Sequence, residues 1–117
     1  MADVNLLGVC DGHGSDGHSV SGYIKAKVPQ MLKLFLEKSQ CANADQSLKK
    51  AVTKCDSDLA KTTIDVERSG STCCMCLTLG ELMFISNTGD SRALLVSAKS
   101  IEQKAAYFKY EEEKKSP

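Results

Sequence analysis

At Ser71 the apolar pattern of this chain changes period, and that change limits the folds open to it. Upstream, from about Ser15 to Lys38, the apolar residues Val20, Ile24, Val28, Met31 and Phe35 recur at spacings of four, four, three and four. That is the period of a helix with one buried face. In the following stretch NADQSLKKAVTKCDSDLAKTT, Leu48, Val52, Cys55 and Leu59 repeat such a stripe, with Lys and Asp on the solvated side. Downstream, in STCCMCLTL, Cys73, Met75, Leu77 and Leu79 alternate with Thr72, Cys74, Cys76 and Thr78, the period of a strand. Helical stripes and sheet faces must bury one another, so the expected class is α+β, with a helix pair covering antiparallel strands.

Punctuation supplies the remaining elements. VNLLGVC, residues 4–10, is a short Val- and Leu-rich run ending at glycines, which suits a buried strand. Pro29 falls inside the first helical stretch and predicts a kink or a break into two helices. Asn43 is expected to cap the second helix, its side chain accepting an amide near Gln46 while Gln46 reaches back. Gly80-Glu81 separates STCCMCLTL from LMFISNT and suits a two-residue hairpin loop with glycine first. A turn at GDS then leads to RALLVS, giving an expected three-stranded meander.

A chain of 117 residues forms at most one domain and buries roughly two-thirds of its unfolded surface. Fifteen basic and fifteen acidic residues cancel, which argues against steering to nucleic acid or to an anionic membrane. No apolar run approaches the ~20 residues that span a bilayer, and no signal-peptide pattern opens the chain. The expectation is an intracellular protein, cytoplasmic or nuclear. Six cysteines follow no small-domain disulfide framework; they read as thiols within apolar patterns, and CCMC lacks the second pair that a zinc site requires. Residues 98–117 gather Lys and Glu around Ala105, Tyr107, Phe108 and Tyr110. They read as a charged tail after the domain, either a short helix with an aromatic face or a solvated end.

The densest chemistry lies in GVCDGHGSDGH, residues 8–18. Without G-x-G-x-x-G or G-K-S/T it is not a nucleotide loop, and the spacing after Asp11 is not that of an EF-hand. What remains is Asp11, a carboxylate at a strand end, followed by Gly12, whose carbonyl can approach a hard cation, and His13, which can donate a proton. From these residues alone, a tight turn with an exposed histidine is an equally good reading.

Three blocks in order, VCDGHGSDGHSVSGYI, then SGST at 69–72, then NTGDSRALLV at 87–96, resemble the metal-dependent Ser/Thr protein phosphatases, the PPM or type 2C family. The resemblance covers residues 4 to about 97 and implies part of a β-sandwich flanked by helix pairs, so residues 1–97 are taken as a partial PPM-type domain. It implies that Asp11 bridges two Mg²⁺ or Mn²⁺ ions, that Gly12 lends its carbonyl to one of them, that His13 is the candidate general acid, and that Asp90 binds a weaker third ion. Gly70, Ser71 and Thr72 match a structural strand entry, and His18 has no catalytic counterpart. Family chemistry is hydrolysis of a phosphomonoester by metal-activated hydroxide, with phosphoserine and phosphothreonine proteins as substrates. Members also carry an arginine and an acidic residue ahead of the first block, and later D-G-apolar-aromatic-D and D-N motifs, none of which is found here. The metal site is therefore expected to be incomplete. The chain alone is expected to be inactive, and a protein partner is expected to complete the sandwich. An inactive phosphatase-like binding or structural module is the alternative.

Overall fold

The computed structural model describes residues 3–97. Among these, β1 (Val4–Val9) and β2 (Gly12–His13) precede α1 (Gly17–Ser39) and α2 (Ala44–Leu59), and β3 (Gly70–Ser71), β4 (Cys73–Leu79) and β5 (Leu82–Thr88) follow. The expected α+β class holds: two helices pack on antiparallel strands. The sheet order is β1-β4-β5, so β4 is central and antiparallel to both neighbours.

The third strand is not the expected one. RALLVS forms no strand, and Leu94, Leu95 and Val96 stand largely exposed. β1 takes the free side of β4 instead, and the connection between these two neighbours runs through both helices. An apolar run becomes a strand only where its backbone pairs with a free edge. The outer edge of β5 pairs with no strand among the described residues, and Ser91, just ahead of this run, is bonded instead to Thr72 and Asn87. Residues 98–117, read from sequence as a charged tail, lie outside the described residues.

Leu79 pairs with Leu82 across Gly80-Glu81. Gly80 takes φ +57°, the left-handed region that a two-residue loop with glycine first demands. Cys73, Met75 and Leu77 of β4 face the helices and form one core with Val28, Leu32 and Leu36 of α1 and with Leu48, Ala51 and Cys55 of α2. The outward-facing row is less bare than its alternation suggests. Cys74 is buried, being a short side chain on the central strand between Val9 and Asn87 of its neighbours.

α1 runs through Pro29 as a single helix. The ring deprives the Lys25 carbonyl of its usual donor, but both residues are exposed, so water can replace the missing bond. Beyond the proline the fully buried positions are Leu32 and Leu36, while Met31 and Phe35 pack half-buried beside them. α1 closes with Gln40 in the left-handed region at φ 52°. The Gln40 and Cys41 N–H groups donate to the Glu37 and Leu36 carbonyls, a Schellman closure. Asn43 does precede α2, but its side chain makes no capping bond. Its backbone carbonyl accepts from Ser47 N–H at 2.9 Å, and burial of Ala44, Ser47 and Leu48 holds this end by packing instead.

Candidate functional site

The register that pairs Val9 with Cys74 continues without slippage to pair Gly12 with Ser71 and His13 with Gly70. β1–β2 and β3–β4 thus form one antiparallel ribbon, interrupted only where Cys10 and Asp11 lie opposite Cys73 and Thr72. At the interruption the Thr72 N–H donates to the Asp11 carbonyl at 3.0 Å. The Asp11 N–H turns to the Thr72 hydroxyl, Oγ1, at 2.9 Å. A side-chain oxygen thereby replaces a backbone carbonyl in the ladder. Asp11 is exposed at the end of a strand, and its backbone N–H and carbonyl are both held by Thr72.

The glycines around Asp11 make room for close approaches. A Cβ on Gly12 would collide with the Gly17 carbonyl in the first turn of α1, and one on Gly14 would collide with the Arg68 carbonyl. Gly14 also takes φ +85°. The His13 ring lies over Gly70, where a Cβ would stand 2.9 Å from Nε2. His13 is exposed, and so is His18 in the first turn of α1. Asp16 fastens this loop to the segment before β3: its N–H donates to Ser69 Oγ at 2.8 Å, and its Oδ2 accepts from the Asp65 N–H at 3.1 Å.

Asp90 reaches the same end of the sheet by another route. β1 and β5 run parallel to each other on either side of β4, so the turns after both strands flank the start of β4. Thr72 joins them: its hydroxyl pairs with Ser91 Oγ at 2.7 Å while accepting from Asp11 N–H. Asn87 Nδ2 donates to the Ser91 carbonyl at 2.8 Å, and Gly89 at φ +97° leaves space for Thr72 Cγ2, which a Cβ there would approach to 2.8 Å. The strands that lead into the turns of Asp11 and Asp90 are two strand spacings apart, about 10 Å. One octahedral Mg²⁺ with bonds of ~2.1 Å draws its ligands much closer together. Among the described residues no three His, Cys, Asp or Glu side chains gather as a metal-binding group. Asp11, Gly12 and Asp90 share one end of the sheet without making a complete cation site by themselves.

Behind this end lie thiols. Burial, reinforced by the neighbouring Cys10, pushes the Cys73 thiol up to about 12, and burial likewise raises that of Cys55. Both residues are neutral core members at ordinary pH.

The sequence profile of protein phosphatase 2C matches residues 2–109. The chain belongs to the protein phosphatase 2C family. It is 32% identical to "Probable protein phosphatase 2C 35" of Arabidopsis thaliana over 80% of this chain and 26% of that protein. It is 34% identical to "Probable protein phosphatase 2C 72" of the same plant over 80% of this chain and 31% of the relative. To "Protein phosphatase 1L" of Bos taurus it is 28% identical, over 78% and 27% respectively. The chain thus spans about a quarter to a third of the length of these curated relatives. No solved structure matches it. Among the described residues no helix is long and apolar enough to cross a membrane.

The sequence reading assigned Thr72 to strand entry alone and passed over Ser69 and Ser91 as positioning groups. In this protein phosphatase 2C segment those three hydroxyls hold the Asp11, Asp16 and Asp90 turns together. The only signal for them in the sequence was their place inside the blocks SGST and GDSR.

Proposed function

We propose that this chain supplies one edge of a divalent-metal phosphatase site, with Asp11 and the Gly12 carbonyl as metal ligands, Asp90 as the ligand of a weaker ion and His13 as proton donor to the leaving serine or threonine oxygen. Carboxylates from outside the described residues complete that site. The observation that carries the reading is the Thr72 junction, which fixes the turns bearing Asp11 and Asp90 at one end of one sheet. Family membership supports Mg²⁺ or Mn²⁺ as the cation class and phosphoserine or phosphothreonine proteins as substrates. When bound, the metals would supply an activated water and charge stabilisation. This chain's own contribution is to hold the Asp11 backbone rigid and to keep Asp11 and His13 exposed.

The sheet also offers a place for the completing protein surface. Leu7 and Val9 of β1 and Met83 and Ile85 of β5 are between 46% and 68% exposed on the face away from the helices. Such a face suits packing by a second sheet. It is also the observation favouring the alternative, an inactive module that only docks.

A phosphatase assay on p-nitrophenyl phosphate with Mn²⁺, beside Mn²⁺ calorimetry, tests the proposal. The expected result is turnover no greater than background for the chain alone, and Mn²⁺-dependent turnover when it is mixed with a segment carrying the rest of a family domain. Asp11→Asn should remove that turnover. Metal-dependent turnover by the chain alone would refute the incomplete site. A folded mixture indifferent to Asp11→Asn would refute the role of Asp11. A dilute monomer that unfolds cooperatively and binds no apolar dye would refute the docking face.

A further inference from the structure

Cys10 and Cys73 occupy facing positions in the interrupted ladder, between the Val9–Cys74 pair and the Asp11–Thr72 rung. Because Thr72 and Asp11 are joined through the backbone, the adjacent Cys10–Cys73 position is of the non-hydrogen-bonded type, in which facing side chains stand closest. Their thiols are near enough to act on one another and are unbridged. The Cα separation typical of such a position, ~4.5 Å, lies inside the range a disulfide accepts. Nothing in the proposed phosphatase chemistry uses either thiol.

We propose that Cys10 and Cys73 form a reversible modification site, closing to an intrachain disulfide under peroxide one residue away from Asp11. Cys10 is half-buried and lines a cavity of about 620 Å³ between β1 and α1, together with Leu6, Gly8, Ile24, Val28 and Met75. Cys73 is 4% exposed, so peroxide meets Cys10 first. The Cys10 sulfur attacks one peroxide oxygen, the O–O bond breaks and one water leaves, giving a sulfenic acid. The Cys73 sulfur then attacks the Cys10 sulfur, the S–O bond breaks and a second water carries off the thiol proton. Two thiols are oxidised to one disulfide and one peroxide is reduced to two waters; a dithiol reductant reverses the step. Cys74 and Cys76 are not competitors of this kind. Cys74 pairs with Val9 and Cys76 with Leu7, and Val9 and Leu7 lie on the outer face of the sheet. Cys55 lies near the pair but on α2, so it has no facing position on the ladder.

The whole chain, treated with hydrogen peroxide, should lose two of its six titratable thiols and regain both with dithiothreitol. Tandem mass spectrometry of the digested wild-type chain should locate the link between Cys10 and Cys73, and the oxidised chain should melt at a higher temperature because the bridge closes a long loop. Cys10→Ser and Cys73→Ser should each abolish the link, and Cys55→Ser should retain it. Circular dichroism checks that each variant is folded, and the wild-type map stands even if Cys73→Ser is not. A wild-type link to Cys55, Cys74 or Cys76, or oxidation that stops on Cys10 without a bridge, overturns the proposal.

Discussion

Replacing Thr72 with valine removes one hydroxyl and almost no volume, and the structure says what that hydroxyl does. Oγ1 accepts the Asp11 N–H at 2.9 Å and pairs with Ser91 Oγ at 2.7 Å. Thr72 is 5% exposed, so water does not readily take its place. Each lost hydrogen bond is worth about 1 kcal/mol, and the Asp11 N–H is left without an acceptor in part-buried surroundings, so Thr72→Val should destabilise the chain by about 2–3 kcal/mol. Ser91 is only half-buried and can turn its hydroxyl to solvent, which keeps the total from rising further. Thr72→Ser retains both bonds and loses only the methyl beside Gly89, at about 1 kcal/mol. Urea denaturation measures the difference. Exchange of the Asp11 amide localises it: protection should fall about 30- to 140-fold in Thr72→Val, since 1.4 kcal/mol is tenfold. Thr72→Val within about 0.5 kcal/mol of wild type, with Asp11 protection unchanged, would refute the junction as the element that holds this end together.

Gly14→Ala places a Cβ against the Arg68 carbonyl at a positive φ and should cost about 2 kcal/mol or more, read as a lower urea midpoint. Gln40→Gly should do the reverse. It relieves a left-handed non-glycine residue at an exposed helix end and should stabilise by about 0.5–1 kcal/mol, measured by the same titration. Stability should also fall in alkali. Cys73 and Cys55 hold their protons more tightly in the folded chain than in the unfolded one, so their contribution is full below the ordinary thiol pKa of about 8.5 and is lost as pH rises above it. For Cys73 that loss extends toward about 12. Denaturation midpoints recorded from pH 8 upward should decline, and Cys73→Ala should flatten the decline.

The sequence by itself determined the features that depend on near neighbours. Four-residue spacing in ADQSLKKAVTKCDSDL and two-residue alternation in CCMCLTL set the helix, the strand and the inward row of Cys73, Met75 and Leu77. A glycine at position 80 set the two-residue hairpin. In each case the residues that decide the conformation lie within one turn or one pleat of each other. The order of blocks was enough to identify the family. Only the tertiary structure decided which strand lies beside β4, because periodicity states which face a residue presents and not what sits across the edge. VNLLGV and RALLVS read alike in sequence, yet only the first is paired. The same limit hid the role of Thr72. Its partner Asp11 is 61 residues away, and no local pattern encodes that a threonine hydroxyl will stand in for a backbone carbonyl at the one break in the ladder. Cys10 and Cys73 likewise meet only because the register continues through that break.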